Sequence, residues 1–190
     1  ISSFFKPIQQ INKIVNSRKN IAHHYDLNED LYRFFLDKDM QYSCAYFHNP
    51  NMSLDQAQID KKKHIINKLQ INENMKVLDI GSGWGGMAID IAKITGATVK
   101  GITLSENQYT TATKRAHEEG LSDKVSFALQ DYRYEQDTYD RIVSVGMFEH
   151  VGVGYFKIFF KKTYELLNEG GIFLLHTIGQ RGKPTATSPW

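Results

Sequence analysis

The feature that most constrains the fold is a buried strand that runs directly into a glycine-rich turn, Val77-Leu78-Asp79-Ile80-Gly81-Ser82-Gly83-Trp84-Gly85-Gly86. Glycine permits the positive φ angles of such a turn and lets the backbone approach a ligand closely. The helix predicted to follow offers unpaired N–H groups to the polar end of a ligand. A tight turn with no ligand is the alternative, but the strand and helix on either side favour a binding loop.

Short apolar runs alternate with helix-like segments after this turn. The predicted strands cover 77–80, 97–104, 125–129, 140–145 and 172–178, and the predicted helices cover 86–95, 106–119 and 155–167. A polar loop, 131–138, is the whole connection between the third and fourth strands. Strands that alternate with helices predict an α/β fold with a parallel sheet and right-handed crossovers.

The chain before this alternation has a helical pattern. We divide it into an N-terminal helical cap, 1–73, and a core, 74–190. Three helices are predicted in the cap: one with Ile8, Ile11 and Val15 on one face, a short one after Asn28, and one over 54–69 that Ser53 opens. The run Lys61 to Lys63 is interpreted as a solvated helix face, with a lipid headgroup contact as the alternative.

Composition excludes several classes of protein. With 41% hydrophobic and 23% charged residues among 190, the chain is neither disordered nor fibrous. Its net charge of +2 is too small for an electrostatic nucleic-acid binder, so no nucleic-acid partner is predicted. The single cysteine, Cys44, excludes an internal disulfide and suits a reducing compartment. No apolar run is long enough to span a membrane, so a soluble chain is predicted. A cytoplasmic location is expected.

The glycine spacing alone leaves two cofactor classes open. Gly81, Gly83 and Gly86 match the dinucleotide pattern G-x-G-x-x-G, and Glu106 could imitate its ribose-binding acid. Asp79 argues against a dinucleotide, because its carboxylate would repel a pyrophosphate and because an acid two residues before the first glycine is typical of methyltransferase loops. Glu106 fits better as a solvated residue in the first turn of a helix. The balance favours S-adenosylmethionine.

Six phrases in order carry a resemblance to a known family. They are Tyr42-Ser43-Cys44-Ala45-Tyr46-Phe47, Gly81 to Gly86, Thr103-Leu104-Ser105-Glu106-Asn107-Gln108, Gln130-Asp131-Tyr132-Arg133, Phe148-Glu149-His150-Val151-Gly152 and Leu175-His176-Thr177-Ile178-Gly179. From about His23 to Trp190 the chain resembles the cyclopropane-fatty-acyl-phospholipid synthases, relatives of the mycolic acid cyclopropane synthases. The resemblance implies a Rossmann-like class I methyltransferase fold.

The resemblance also implies a reaction and a cofactor site. A methyl group would pass from S-adenosylmethionine to the double bond of an unsaturated phospholipid acyl chain, and loss of a proton would close a cyclopropane ring. Tyr42 and Ser43 would contact the methionine part of the cofactor, Gly81 and Gly83 would cradle it, Leu104 and Gln108 would hold adenosine, and Tyr132 and Arg133 would flank adenine. Trp84, Thr103 and Asp131 in the same phrases, and Asp79 two residues before the first glycine, complete the cofactor-binding set.

Three residues are implied to hold bicarbonate, the family's base: the main chain of Cys44, the carboxylate of Glu149 and the imidazole of His176. Glu149 can accept a proton and His176 can donate a hydrogen bond. From the residues alone, Cys44 is equally well a small buried apolar residue and His176 a core histidine, whereas Glu149 follows a strand end, where α/β sheets bind ligands. His150 is interpreted as a cap or pairing residue. No metal site is predicted.

An apolar site for the acyl chain is also expected, because water would quench the carbocation that methyl transfer leaves. Aromatic faces stabilise such a cation. The candidates for this wall are Tyr25, Tyr46, Phe47 and Phe148, with a plain core role as the alternative.

The end of the sequence carries a further expectation. This fold usually has seven strands, and the sequence ends after the fifth. We therefore expect the C-terminal hairpin to be missing and these 190 residues alone to be inactive. An unpaired apolar strand edge predicts self-association. The expected location is the inner face of a membrane, where unsaturated phospholipid is met. Methylation of an amine or another lipid, and an inactive binding fragment, stay open as alternatives.

Overall fold

The computed structural model describes residues 29–179 and residue 182. The predicted helix with Ile8, Ile11 and Val15, and the candidate Tyr25, lie outside them. Among the described residues, two helices precede the sheet, α1 (Glu29–Phe35) and α2 (Leu54–Leu69). The alternation that follows comprises β1 (Lys76–Ile80), α3 (Gly86–Thr95), β2 (Thr98–Thr103), α4 (Glu106–Glu118), β3 (Val125–Leu129), β4 (Tyr139–Val145), α5 (Phe156–Glu165) and β5 (Leu167–His176).

The strands of the described residues form one parallel sheet in the order β3-β2-β1-β4-β5. The chain runs outward from β1 to β3 and then returns to the other side of β1 at β4. This reversal leaves a crevice at the carboxyl ends of β1 and β4, which is where open α/β sheets bind ligands. The predicted α/β fold with a parallel sheet is confirmed.

Alternate residues of each strand face opposite layers. In β1, Val77 belongs to one core cluster with Ile65 and Leu69 of α2, whereas Leu78 belongs to a second cluster with Phe159 of α5. Helix α2 therefore contributes to the same core as β1. The division at residue 73 between a cap and a core stays a prediction.

Local signals place several helix ends where the sequence predicted them. The Ser53 hydroxyl accepts a hydrogen bond from the Gln56 N–H at the start of α2, and Ser105 does the same for Gln108 at the start of α4. Gly96 ends α3 in the left-handed conformation, with φ of 75°.

The fifth strand differs from its prediction. It spans Leu167–His176 rather than 172–178, and α5 ends at Glu165. Pairing with β4 carries the strand through Gly170 and Gly171, with a register shift between Tyr139 and Arg141. The predicted loop at 131–138 also contains a 3₁₀ turn, Tyr132–Tyr134.

The aromatic residues of α5 and its surroundings form a cluster. Phe148 stacks on Phe156 with ring centroids 4.3 Å apart, and Phe159 and Phe160 lie within 6 Å of the same ring. In the part of the chain that the structure describes, no helix has the length and apolar character needed to cross a membrane.

Candidate functional site

The glycine-rich turn forms one wall of a cleft. Gly81, Gly83 and Gly85 all have positive φ angles. A Cβ on Gly81 would lie 2.6 Å from the Cβ of Met147, so this glycine permits close contact with the chain after β4. A Cβ on Gly83, where φ is +53°, would meet no atom within 4 Å. The Gly83 backbone therefore faces open space in the cleft.

The cleft lies over the carboxyl ends of β1, β2, β3 and β4. Counted with its open mouth, it holds about 1120 Å³ of space outside the protein atoms, which is ample for a nucleoside-sized ligand. All twelve residues predicted to bind the cofactor line it: Tyr42, Ser43, Asp79, Gly81, Gly83, Trp84, Thr103, Leu104, Gln108, Asp131, Tyr132 and Arg133.

Three buried polar atoms on this lining have no hydrogen-bond partner among the described residues: Asp79 Oδ2, Ser82 Oγ and Trp84 Nε1. Buried polar groups are rarely left unpaired, because their lost hydration then has no compensation. Burial raises the pKa of Asp79 to about 7, against the opposing effect of the Lys61 ammonium. The cleft thus presents an acceptor and two donors that a polar ligand can satisfy.

The β2 side of the cleft is held by a buried polar network. Thr103 Oγ1 donates to Gln108 Oε1 at 2.8 Å, and the Ser105 N–H donates to Thr103 Oγ1 at 3.2 Å. The Gln108 N–H donates to the Ser105 hydroxyl that caps α4. These bonds orient the Gln108 amide at the edge of the cleft.

On the β3 side of the cleft, Arg133 and Asp131 form an ion pair within one turn of the chain. The Arg133 guanidinium donates to both carboxylate oxygens of Asp131, at 2.8 and 2.6 Å, and the Arg133 N–H also donates to Asp131. The same guanidinium lies 5.5 Å from the ring centre of Tyr132 and 5.8 Å from that of Tyr155. This pairing fixes Tyr132 and Arg133 beside each other on the cleft wall.

The segment before α2 closes the remaining side. Gln58 Nε2 donates to the carbonyls of Gln41 and Ser43, and Lys61 Nζ donates to Ser43 Oγ at 2.7 Å. Both Gln58 and Lys61 project from α2 one turn apart. Helix α2 therefore holds the segment that contains Tyr42 and Ser43 over the cleft.

The three residues assigned to bicarbonate lie beside the cleft rather than on its main lining. Glu149 Oε1 accepts a hydrogen bond from the Ile178 N–H at 2.7 Å, which brings the carboxylate to the end of β5. The Gly146 N–H donates to the His176 carbonyl at 3.0 Å. The carboxylate of Glu149 is close enough to His176 to raise the pKa of its imidazole, although burial and Lys61 lower that pKa overall.

Gly146 links this corner to the cleft. It lines the cleft, and a Cβ on it would lie 3.3 Å from the Cβ of Ser43. Cys44, which follows Ser43, has an exposed free thiol. The segments that contain Cys44, Glu149 and His176 thus meet around Gly146. The roles of these three residues in holding bicarbonate stay predictions.

Comparison with known proteins gives a consistent picture. The family model for mycolic acid cyclopropane synthetase matches residues 12–188. The chain belongs to this family.

Two curated relatives in the family come from bacteria. A cyclopropane-fatty-acyl-phospholipid synthase from Escherichia coli K12 is 47% identical over 167 residues, which are 88% of this chain and 42% of the relative. A probable fatty acid methyltransferase from Pseudomonas putida is 46% identical over 160 residues, which are 83% of this chain and 41% of the relative. The chain therefore spans less than half the length of these two relatives.

A solved structure of a mycolic acid cyclopropane synthase, complexed with SAH and CTAB, superposes with a TM-score of 0.80. It is 35% identical, and the match covers 83% of this chain and 55% of that one. The Rossmann-like methyltransferase fold expected from the sequence is confirmed.

The interpretation of the lysine run 61–63 was wrong for two of its members. Lys61 and Lys62 are each 3% exposed, and only Lys63 faces solvent. The segment around Asp39 and Ser43 covers them, and a charge pattern along one helix contains no information about such a distant cover. These two buried cations are the clearest feature of the site that sequence reasoning missed.

The three described aromatic candidates for the acyl wall, Tyr46, Phe47 and Phe148, do not line the cleft. Phe148 packs in the α5 cluster, and Tyr46 stacks on His64, with ring centroids 4.8 Å apart. Phe47 is half exposed. The cleft instead includes Met147 and His150 after β4, which the strand-end rule that located Glu149 could also have found.

Proposed function

We propose that the full-length protein carrying this chain transfers a methyl group from S-adenosylmethionine to the double bond of an unsaturated phospholipid acyl chain and closes a cyclopropane ring, with bicarbonate as the base. The observation that carries the proposal is one cleft lined by all twelve expected cofactor residues, with Glu149 and His176 brought together at its β4–β5 corner. The similarity to the Escherichia coli cyclopropane-fatty-acyl-phospholipid synthase and to the solved mycolic acid cyclopropane synthase complexed with SAH supports it.

The residues present fit S-adenosylmethionine. Asp79 offers an unpaired carboxylate oxygen to a positively charged ligand, and Gly83 leaves open space where any other residue would project a side chain. Ser82 Oγ and Trp84 Nε1 are further unpaired polar atoms on the same wall. When bound, the cofactor supplies an electrophilic methyl group on a positively charged sulfur.

The protein's own part is alignment and exclusion of water. An alkene is a weak nucleophile, so the reaction depends on holding it against the methyl donor in a dry site. The network of Thr103 and Gln108 orients one end of the cleft, and the segment with Tyr42 and Ser43 covers the other. An acyl chain is expected to enter from a membrane surface, which makes the protein a peripheral membrane enzyme in this proposal.

The corner with Glu149 and His176 is suited to a small oxyanion. Burial lowers the pKa of His176, so its imidazole is neutral at pH 7 and has one N–H to donate. His176 Nδ1 is buried without a partner among the described residues. The Glu149 carboxylate, oriented by the Ile178 N–H, can accept a proton at this place.

The test uses the full-length gene product with unsaturated phospholipid vesicles and a methyl-labelled cofactor. We expect label in the acyl chain, a product heavier by one methylene unit, and no product from saturated phospholipid. Glu149→Gln removes the proton acceptor and is expected to lower turnover by at least ~10²-fold, the lower range for a general base.

Glu165→Gln, an exposed carboxylate at the end of α5, is the matched control and should keep the parent rate. Cyclopropane formation by Glu149→Gln at the parent rate would refute the bicarbonate site. Label in the lipid headgroup instead of the acyl chain would favour the alternative of amine methylation.

A further inference from the structure

Two neighbouring buried lysines on α2 have different partners. Lys62 forms ion pairs with Asp39 and with Asp90. Lys61 is as deeply buried, yet its Nζ donates to a neutral group, the Ser43 hydroxyl, at 2.7 Å. Within residues 29–179 and 182 no carboxylate lies within ion-pair distance of Lys61. A buried charge without a counter-charge is unfavourable. An anion bound next to the Lys61 ammonium would therefore offset a cost that no directly paired carboxylate of the described residues offsets.

The charges around Lys61 come from four parts of the chain. On the segment before α2 and on α2 itself they are Asp37, Asp39, Cys44 and Lys62, and at the ends of β1 and β5 they are Asp79 and His176. Burial lowers the pKa of Lys61 to about 8, and Asp37 and Asp39 partly oppose this. The ammonium thus lies where the segment before α2, strand β1 and strand β5 converge.

The same place has a further polar atom that lacks a partner. His176 Nδ1 is buried and has no hydrogen-bond partner among the described residues. Ser43 and His176 both flank Gly146, one through its side chain and the other through its carbonyl. Lys61, Ser43 and a neutral His176 can together direct positive charge and hydrogen-bond donors at one small anion.

We propose that Lys61 is a positioning residue that acts through Ser43 to hold a carboxylate-type oxyanion at this corner of the cleft. The chemistry fits two sources, the amino-acid carboxylate of the cofactor or a free carbonate ion. The inference deepens the proposed function and rests on it. A purely structural role, in which Lys61 only ties Ser43 to α2, is the alternative.

Stability separates these roles. If Lys61 is kept for an anion, Lys61→Met removes an uncompensated charge and is expected to leave the melting temperature of the ligand-free protein unchanged or to raise it. If Lys61 only ties Ser43 to α2, the same change lowers the melting temperature. Lys61→Arg keeps the charge and is expected to retain most of the function.

The experiment uses the full-length gene product, with Lys63→Met as the matched control on the exposed face of the same helix. Calorimetry with S-adenosylhomocysteine and with decarboxylated S-adenosylmethionine measures the cofactor arm. Turnover against bicarbonate concentration, in buffer depleted of carbon dioxide, measures the carbonate arm.

Two results support the inference. Lys61→Met lowers the affinity for S-adenosylhomocysteine at least tenfold without affecting the decarboxylated ligand, which identifies the cofactor carboxylate. Alternatively, it leaves both affinities unchanged and raises the bicarbonate concentration at half-maximal turnover at least tenfold. In the first case the parent's affinity for S-adenosylhomocysteine should fall above pH 8, where Lys61 loses its proton, and in the second case its half-maximal bicarbonate concentration should rise there. Lys61→Arg should not show this pH dependence.

Other results overturn it. The inference is wrong if Lys61→Met matches the parent in both arms. It is also wrong if Lys61→Met weakens the binding of both cofactor ligands equally and lowers the melting temperature. An effect of Lys63→Met equal to that of Lys61→Met also overturns it. A parent protein that binds neither cofactor ligand refutes the proposed function and this inference with it, whereas a binding parent with an unaffected Lys61→Met refutes the inference alone.

Discussion

At the scale of single residues, the buried carboxylate of Asp79 sets the pH behaviour of the cleft. Its pKa rises from 3.8 to about 7 because burial disfavours the charged form. Between these values the folded chain keeps a proton that the unfolded chain has released. The stability that Asp79 contributes is therefore fully present below about pH 3.8 and is lost as pH rises toward 7.

Asp79→Asn is expected to stabilise the ligand-free protein at pH 8 and to change little at pH 4. A shift of about three pKa units corresponds to an effect on the order of 4 kcal/mol. The same variant should bind S-adenosylmethionine at least ~10-fold more weakly, because it removes the charge that faces a cationic ligand. Urea denaturation at the two pH values and calorimetry measure both effects.

The control is Asp123→Asn, which removes a carboxylate from an exposed loop residue. It should leave both the pH dependence and the binding unchanged. If Asp79→Asn has the same effect on stability at pH 4 and at pH 8, the buried carboxylate does not titrate as described here.

At the scale of elements, Asp39 joins the segment before α2, in which it lies, to the helices α2, α3 and α4. Its carboxylate pairs with Lys62 of α2 and with Arg115 of α4, and it lies against Gly86 at the start of α3, where it leaves no room for a Cβ. Arg115 also donates to the Trp84 carbonyl at 2.7 Å. The glycine-rich turn and the segment leading to Tyr42 are therefore held together by one set of charge-assisted hydrogen bonds.

Removing the guanidinium with Arg115→Met should loosen this junction. We expect a loss of about 2 kcal/mol in the free energy of unfolding, less than for a fully buried pair because Asp39 keeps Lys62. The affinity for S-adenosylhomocysteine should also fall, because residues 40–43 line the cleft. Hydrogen exchange should report faster opening of segment 37–43.

Lys114→Met is the neighbouring control on α4, since the side chain of Lys114 is exposed and forms a surface ion pair with Glu118 of the same helix at 3.7 Å. It should change the free energy of unfolding by less than about 0.5 kcal/mol. Unchanged exchange in segment 37–43 of Arg115→Met would show that the junction does not depend on this side chain.

At the scale of the whole molecule, β5 pairs with β4 on one side only among the described residues. Its central residues, Ile172 to Leu175, are apolar. A long apolar edge exposes unpaired backbone groups to a second copy.

We expect these 190 residues, expressed alone, to self-associate through β5. Light scattering over a concentration series should show a rising mass, and hydrogen exchange should show added protection in β5 but not in β3, the other edge of the described sheet. A monodisperse monomer at all concentrations, or protection that rises equally at both edges, would contradict this prediction.

Much of this architecture follows from local sequence. Strand β3 and helices α2 and α3 have the predicted bounds, because short apolar runs end at clear caps such as Ser53 and Gly96. The residues that line the cleft could be predicted because parallel strands bring their carboxyl ends, and the loops that follow them, to one edge. The start of β5 could not, since pairing with β4 overrides the preference of Gly170 and Gly171 for a turn.

The sequence by itself determined the alternation of strands and helices, the glycine-rich turn and the set of residues around the cleft. Only the tertiary structure decided that Lys61 and Lys62 are buried, that Asp39 meets Arg115, and that the Glu149 carboxylate meets the chain after His176. The physical reason is range. Backbone preference and periodicity act within a few residues, whereas Asp39 and Arg115 lie 76 residues apart, and burial depends on which distant segment covers a helix face.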